Sequence, residues 1–297
     1  MIDTIKRFSN LLRPYRTDDG ALLEDVLGSK VFLEEERMME RELRSMLIAV
    51  EDQQREEIYR ECYERIHKWA IKNASGTRDG IYIKSLEKKL KFLKSSAICK
   101  IIGQSKKVLD IGCGDGALSI ILALLGNEVT GIDVSPTVLG FAEENKRRVN
   151  ITDVRFKCMS ATNLGFPDEH FDVVISIDLI EHLHPKDLMP HLIQVNRILR
   201  RGGYYLISTP NRLSCHNIPL HLKEYTYAEL TWFLAYAGLY CRSILFNPNA
   251  RILPILLVPT HVKIVLEKFH SFLKRIQVFW TLASLDCVTI LATKPLM

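Results

Sequence analysis

The sequence predicts an α/β fold with a doubly wound, mostly parallel sheet of seven strands, preceded by a helical extension. Three observations lead to this prediction. From residue 101 onward, short apolar runs alternate with helical patterns, as in βαβ units whose strands are buried on both faces. Residues 1–100 show helical spacing of apolar residues among many charges. A glycine-rich segment joins the first predicted strand to the next helix.

The composition is that of an ordinary globular protein. The chain has 297 residues, of which 47% are hydrophobic and 25% charged, and this excludes collagen-like, disordered and disulfide-scaffold classes. A net charge of +5 is too small to indicate a nucleic-acid binder by itself. The seven cysteines are scattered and include no CxxC pair. We therefore expect a reduced, cytoplasmic setting, without a secretory signal or a membrane-spanning helix.

Residues 1–100 are predicted to be helical and to supply lid, substrate or oligomer contacts. Between Phe32 and Lys72, apolar residues recur at helical spacing among many Glu and Arg side chains, as in helices with one solvated face. A second helical run extends from Ile58 to Ala74, and another is predicted from Ile83 to about Ile102. Three aromatic residues of this region could cover a site but are expected in the core: Tyr59, Tyr63 and Trp69.

The second region, residues 101–297, contains the predicted sheet. Its strands are predicted at KKVLDIG, EVTGIDVS, VRFKCMS, FDVVISID, GGYYLISTP, Arg242–Phe246 and Cys287–Thr293, with a helix from about Asp187 to Leu199. The segment at about 247–284 is predicted to be a helical, apolar and basic insertion. We expect it to pack on the body or to form a homodimer interface, and peripheral contact with a membrane is the alternative.

The strongest signal of a binding site is the segment VLDIGCGDG, which spans Val108–Gly116. Its glycines let the backbone turn tightly and approach a ligand. The segment departs from the dinucleotide fingerprint G-x-G-x-x-G in its third spacing and in the acid, Asp110, that precedes the glycines. A pyrophosphate needs a helix N-terminus whose positive potential is not offset by a negative side chain. An acid at the strand tip suits a ligand with an ammonium group instead.

A second acid, Asp133, ends the second predicted strand, 23 residues after Asp110. An acid at this position can accept hydrogen bonds from both hydroxyl groups of a ribose. The two segments together therefore predict a pocket for an aminoacyl nucleoside without phosphates.

These residues resemble the site of class I S-adenosylmethionine-dependent methyltransferases, and more narrowly the group that includes quinone-biosynthesis and sugar O-methyltransferases. The resemblance covers about residues 100–246 and the last strand. It implies a Rossmann-like domain, S-adenosyl-L-methionine as the methyl donor, and methylation of a small-molecule or lipid-linked acceptor at oxygen. It also implies ten cofactor-binding residues: Asp110, Gly112, Cys113, Gly114, Asp133, Val134, Ser160, Ala161, Ile177 and Asp178.

The sequence departs from the family's pattern after the third strand. The family usually places an acid that contacts adenine in a pattern like GDAxxLPF, whereas the stretch from Met159 to Phe166 reads MSATNLGF. Ser160 therefore stands where the acid is usual, and one expected contact is weakened. The backbone amide of Ala161 is still expected to face the adenine.

The segment DLIEHLHP follows the fourth strand and is expected beside the transferred methyl group. Methyl transfer to oxygen requires removal of a proton, for which a histidine is suited. His182 is the first candidate for the catalytic base. His221 is the second, in a loop where family members often close the acceptor pocket together with a residue such as Tyr225. Each of these residues could instead have a structural role.

No metal is predicted, but a metal site is kept as an alternative. Glu181, His182 and His184 could ligate an ion together with His216 or His221. The D-x-x-E-H arrangement is faintly similar to E-x-x-E-H in small-RNA 3′-terminal 2′-O-methyltransferases, with Asp178 in place of the first Glu. A metal-assisted RNA 2′-O-methyltransferase is thus one alternative function, although we expect no nucleic-acid partner because the N-terminal helices are acidic. A non-catalytic cofactor-binding subunit is the other.

Overall fold

The computed structural model describes residues 30–51, 54–73, 102–212, 219–245 and 287–296. Two helices come first, α1 (Lys30–Ala49) and α2 (Arg55–Asn73). The other elements in chain order are β1 (Lys107–Ile111), α3 (Ala117–Leu124), β2 (Glu128–Asp133), α4 (Pro136–Arg148), β3 (Val154–Cys158), β4 (Phe171–Ile177), α5 (Leu188–Ile198), β5 (Leu199–Pro210), α6 (Tyr227–Tyr236), β6 (Tyr240–Leu245) and β7 (Cys287–Thr293).

The seven strands form one sheet in the order β3-β2-β1-β4-β5-β7-β6. Strands β1 to β5 pair in parallel, and β7 is antiparallel to both of its neighbours. The predicted α/β fold with a mostly parallel, seven-stranded sheet is therefore confirmed. The strand order reverses between β1 and β4, and ligands of such sheets bind at this reversal, beyond the carboxyl ends of the strands.

Two apolar clusters cover the two faces of the sheet. Leu109 and Val174 belong to one cluster, and their strand neighbours Val108 and Val173 belong to the other, because successive side chains of a strand point to opposite faces. The first cluster also contains residues of α1, α2, α5 and α6, whereas the second contains residues of α3. The N-terminal helices therefore pack on the same side of the sheet as α5 and α6, where Tyr59 is buried in the core as predicted.

Several predicted boundaries differ from the observed ones. The strand predicted from Arg242 begins at Tyr240, because Gly238 ends the preceding helix with a left-handed φ of 77° and returns the chain directly to the sheet. The helix predicted from Asp187 begins at Leu188, and Asp187 closes a short 3₁₀ turn that starts at Pro185.

Some predictions fall on residues outside the described ranges. They are the helix Ile83–Ile102 except for Ile102 itself, the insertion at about 247–284, His216 and most of its loop, and the first 29 residues. Within the described ranges, no helix has both the length and the apolar character needed to cross a bilayer.

Candidate active site

The glycine-rich turn lies between β1 and α3, at the reversal in strand order. Gly116 has a φ of 77°, and a Cβ there would lie 2.5 Å from the Phe156 ring, so that only glycine fits. Gly114 also has a positive φ, of 55°, but no atom lies within 4 Å of the place where its Cβ would be. The backbone at Gly114 is therefore open on that side, as a cradle for a ligand requires.

Asp133 fixes this turn from the end of β2. Its Oδ2 atom accepts a hydrogen bond from the Gly114 amide at 3.0 Å, and its Oδ1 atom accepts one from the Ser135 amide at 3.0 Å. The amides of Gly112 and Cys113 donate to the Ile132 carbonyl at 2.8 and 3.0 Å. Since a carboxylate has about four lone-pair positions, Asp133 retains acceptors for the hydroxyl groups of a ribose.

Asp110, within β1, supports the turn. It is 3% exposed, and its Oδ2 atom accepts a hydrogen bond from the Ser119 hydroxyl of α3 at 2.6 Å. Burial raises the pKa of Asp110 to about 6, although the bond from Ser119 lowers it. Cys113 is also buried, and burial raises the pKa of its thiol.

The loop after β3 is held by its own side chains. The Ser160 hydroxyl lies 2.9 Å from the Thr162 hydroxyl and accepts a hydrogen bond from the Thr162 amide at 3.2 Å. Ser160, at the position where an acid is usual in the family, is therefore used to shape the loop. Val134, at the end of β2, packs partly buried against the first apolar cluster.

A buried hydrogen-bond chain, which the sequence did not predict, positions Ala161. The Nδ1 atom of His191 donates to the Ala161 carbonyl at 2.8 Å, so that Nε2 accepts from the Tyr205 hydroxyl at 3.0 Å. That hydroxyl in turn accepts from Ser176 at 2.6 Å. Burial lowers the pKa of His191 to about 4, which keeps the ring neutral. No sequence signal marks this chain, because His191 lies on the apolar face of α5 like any core residue.

The end of β4 carries the last two predicted cofactor residues. Ile177 is half-buried, and Asp178 is exposed with a φ of 52°, which is uncommon for a residue other than glycine. The Asp178 amide donates to the Ser208 carbonyl of β5 at 2.9 Å, and this bond maintains the turn. Such left-handed residues concentrate at functional sites.

Glu181, His182 and His221 come together beyond β4 and β5. One possible ligand atom from each lies within 4.8 Å of the other two. Glu181 is fully buried, and its Oε2 atom accepts a hydrogen bond from the Thr209 hydroxyl at 2.8 Å. Its Oε1 atom has no hydrogen-bond partner among the described residues. Burial and the nearby charge of Asp178 raise the pKa of Glu181.

Both imidazole rings of this cluster use their Nδ1 atom as a donor. Nδ1 of His182 donates to the Leu220 carbonyl at 3.3 Å, and Nδ1 of His221 donates to Oε1 of Glu224 at 2.8 Å. Burial, with His221 alongside, lowers the pKa of His182 to about 3. The Nε2 atoms are thus left as acceptors, and that of His182 lies 3.9 Å from Oε1 of Glu181. The cluster therefore brings two ring nitrogens and the Glu181 carboxyl together.

The other candidates of the sequence lie near this cluster without joining it. The Nδ1 atom of His184 accepts a hydrogen bond from the Lys186 amide at 3.3 Å and caps a 3₁₀ turn. Tyr225 is 1% exposed, and its hydroxyl has no hydrogen-bond partner within the described part of the chain. It lies close enough to Glu181 for that carboxyl to contribute to raising the pKa of the phenol, after burial and Glu229.

The N-terminal helices contact the candidate site. Arg44 of α1 donates to the carbonyl groups of Pro219 and His221, so that it holds the loop that carries His221. The ring of Tyr63 on α2 meets the His182 ring edge-on, with centroids 5.9 Å apart. Tyr63 thus packs against the first apolar cluster, as expected, and also borders the candidate site.

The comparisons with known proteins agree with this geometry. Residues 109–207 match the model of a family described as a methyltransferase domain. The chain is 32% identical over 139 residues to a probable S-adenosylmethionine-dependent methyltransferase of Mycolicibacterium smegmatis, covering 45% of this chain and 51% of that one. It is 34% identical over 109 residues to a ubiquinone biosynthesis O-methyltransferase of Cereibacter sphaeroides, covering 37% and 43%.

The chain thus spans about half the length of the curated relatives that it matches. The crystal structure of the PH0226 protein from Pyrococcus horikoshii has the same fold, with a TM-score of 0.52 and 18% identity over 70% of this chain and 90% of that one. The family match runs from β1 into β5 and so includes the elements that build the site. In this region the chain is similar to S-adenosylmethionine-dependent methyltransferases, and S-adenosylmethionine is the methyl donor that this similarity implies.

Proposed function

We propose that the protein transfers a methyl group from S-adenosylmethionine to an oxygen atom of a small-molecule or lipid-linked acceptor. The observation that carries this proposal is the convergence of Glu181, His182 and His221 beside the cofactor elements. Methylation at oxygen must dispose of the hydroxyl proton, and this cluster offers acceptors for a proton at neutral pH.

The residues present fit the proposed donor. Gly114 leaves open space in the glycine-rich turn, and Asp133 has remaining acceptors beside it. S-adenosylmethionine supplies an electrophilic methyl group on a sulfonium ion when bound. The protein's contribution is then to hold the acceptor in line with that group, which accounts for most of the rate of such displacements.

His182 is the proposed base. Its ring is oriented by the bond from Nδ1 to the Leu220 carbonyl, and its pKa of about 3 keeps Nε2 unprotonated at neutral pH. We expect Nε2 to take the hydroxyl proton while the acceptor oxygen bonds to the methyl carbon and the bond between that carbon and the sulfonium sulfur breaks, its electron pair remaining on sulfur. In its ionised form the Glu181 carboxyl, 3.9 Å away, would stabilise the imidazolium that forms. Burial favours the neutral acid until that positive charge develops.

The choice of oxygen as the acceptor atom has support from one relative, which is named a ubiquinone biosynthesis O-methyltransferase. The test is to incubate the protein with a radiolabelled methyl donor and fractionated cell extract. We expect label in a small-molecule or lipid fraction with wild type and none with His182→Ala. Label confined to RNA or protein would contradict the proposal. Cofactor binding without any labelled product would favour a non-catalytic subunit.

A second candidate, metal-assisted methyl transfer, has support from the same cluster. Each Nδ1 atom is held by a carbonyl or a carboxylate, the arrangement that orients histidine ligands of metal ions. A divalent cation would also satisfy the unpaired Oε1 atom of Glu181 and would lower the pKa of an acceptor hydroxyl.

This candidate can be tested by calorimetric titration of Mn²⁺ or Zn²⁺ into chelator-treated protein. One-to-one binding that His221→Ala abolishes, together with loss of turnover in chelator, would support it. His170→Ala is the matched control, because His170 is an exposed histidine remote from the cluster. Absence of binding, with turnover that is insensitive to chelator, would exclude the metal and leave His182 as the base.

A further inference from the structure

We propose that His67 of α2 is a cofactor-binding residue, whose Nδ1 atom hydrogen-bonds S-adenosylmethionine beside Asp133. The N-terminal helix would thereby complete a site that the sheet domain builds only in part. The inference rests on the donor of the proposed function and is independent of the acceptor.

The contacts of α2 place it across the carboxyl edge of the sheet. At its beginning, Arg55 forms two hydrogen bonds with Asp187, at 2.8 and 3.0 Å. One residue later, Glu56 accepts a hydrogen bond from Thr162 of the loop after β3, at 3.0 Å. The helix therefore contacts the turn after β4 and the loop after β3, both of which border the expected cofactor position.

Glu64 anchors the middle of α2 directly beside Asp133. It accepts hydrogen bonds from the Ser135 hydroxyl at 2.7 Å and from the Thr137 amide at 3.3 Å, at the N-terminus of α4. Burial of Glu64 opposes its ionisation, but these bonds lower its pKa to about 2. A charged Glu64 at a helix N-terminus is a stable anchor.

His67 follows Glu64 by three residues and Tyr63 by four, so all three share one face of α2. Tyr63 contacts the His182 ring, and Glu64 contacts the end of β2, so that His67 continues this face toward the glycine-rich turn. The charges nearest to His67 are those of Asp133, Glu64 and Asp115, whereas burial lowers the pKa of the imidazole.

Two buried polar atoms at this place lack partners. Nδ1 of His67 and Oδ2 of Asp115 are shielded from solvent and have no hydrogen-bond partner among the described residues. Leaving such an atom unpaired is destabilising, because it loses its bonds to water and gains none in the protein. S-adenosylmethionine offers the complementary groups, an ammonium for Asp115 and ribose hydroxyls or a carboxylate for the imidazole. Binding of the cofactor would satisfy both atoms.

The test uses His67→Phe, which retains a flat ring but removes both nitrogens. Calorimetry with S-adenosylmethionine and its demethylated product should give a Kd raised about 10-fold, or about 1.4 kcal/mol. The Tm of the ligand-free variant should equal or exceed that of wild type, because the unpaired nitrogen is gone. Glu61→Gln, at an exposed position of the same helix, should change neither quantity.

An unchanged Kd in His67→Phe would overturn the inference. If His67→Phe has both a lower Tm and weaker binding, the second variant to measure is His67→Asn, whose side-chain amide can occupy the place of Nδ1. Recovery of affinity in His67→Asn would support the inference, and continued weak binding would overturn it. Failure of wild type to bind S-adenosylmethionine would overturn the proposed donor itself, an outcome distinct from a defect confined to the variants.

Discussion

The candidate site has two halves, one proposed to bind the cofactor and the other proposed to hold the acceptor, and they are built from the chain in different ways. In the cofactor half, the glycine-rich turn and Asp133 belong to a single β1-α3-β2 unit, and backbone amides donate to the carboxylate of Asp133. In the acceptor half, Glu181 and His182 follow β4, whereas His221 lies beyond β5. Arg44, which binds the His221 carbonyl, is 177 positions away from it.

The halves also differ in their electrostatics. Each oxygen of Asp133 accepts a hydrogen bond from a backbone amide, whereas in the acceptor half the Oε1 atom of buried Glu181 has no hydrogen-bond partner among the described residues. A carboxylate that already accepts hydrogen bonds from the protein binds a neutral polar ligand at little cost in free energy. Unpaired acceptors in a desolvated cluster are costly, and they persist where a proton or a cation must be taken up. The first half is therefore suited to binding and the second to chemistry.

The largest expected effect tests whether the first half is suited to binding and the second to chemistry. His182→Ala should lower kcat by about 10²–10⁴-fold, the usual contribution of a general base, with the Kd for S-adenosylmethionine unchanged. Single-turnover rates on the acceptor found by the labelling screen would measure this. His170→Ala should behave as wild type. If His182→Ala lost cofactor affinity instead, the two halves would not be separable.

The next effect tests the cofactor half. Asp133→Ala should raise the Kd for S-adenosylmethionine by about 100-fold, because it removes charge-assisted bonds to the ligand and to the Gly114 amide. Calorimetry measures this directly. Glu128→Ala, at the exposed start of the same strand, is the control. An unchanged Kd would disprove the ribose assignment of Asp133.

A third prediction concerns the His191 chain that supports the cofactor half. His191→Gln should reduce the free energy of unfolding at pH 7 by about 1–3 kcal/mol, since it disturbs bonds to Ala161 and Tyr205. The folded-state pKa of His191 lies below the ordinary 6.5, at about 4, so the unfolded chain binds more protons in that window. Wild type therefore loses this contribution as pH falls from 6.5 to 4, whereas the variant does not.

The difference in free energy of unfolding between wild type and His191→Gln should therefore be about 2 kcal/mol smaller at pH 5 than at pH 7. Urea unfolding of both proteins at pH 7 and pH 5 would measure it. A difference that widens on acidification would mean that His191 is charged in the folded protein.

The smallest effect is expected at Ser160. Its hydroxyl bonds within its own loop, so Ser160→Ala should cost about 0.5–1.5 kcal/mol of stability and change the cofactor Kd by no more than about 3-fold. A drop in affinity comparable to that of Asp133→Ala would show that Ser160 replaces the family's acid in binding the adenine.

The sequence could predict the elements whose causes are local. Alternating apolar runs located the strands of the sheet, and Gly116 and Asp133 were recognisable because a turn without a Cβ and an acid at a strand end are properties of short segments. His182 and His221 were candidate bases, and the alternative metal set joined Glu181, His182 and His184 with His216 or His221. The sequence could not show which of these residues meet, because their convergence depends on two loops that α1 and α2 hold together.

By itself, the amino-acid sequence determined where the strands lie along the chain, the position of the glycine-rich turn and the identity of the acid beside it. The tertiary structure alone decided that Tyr63 contacts the His182 ring, that Arg44 holds the loop of His221, and that His191 supports Ala161. The physical reason is the distance along the chain over which each interaction acts. Steric limits and strand periodicity act within a few residues, whereas desolvation and side-chain hydrogen bonds depend on neighbours that only folding brings into contact.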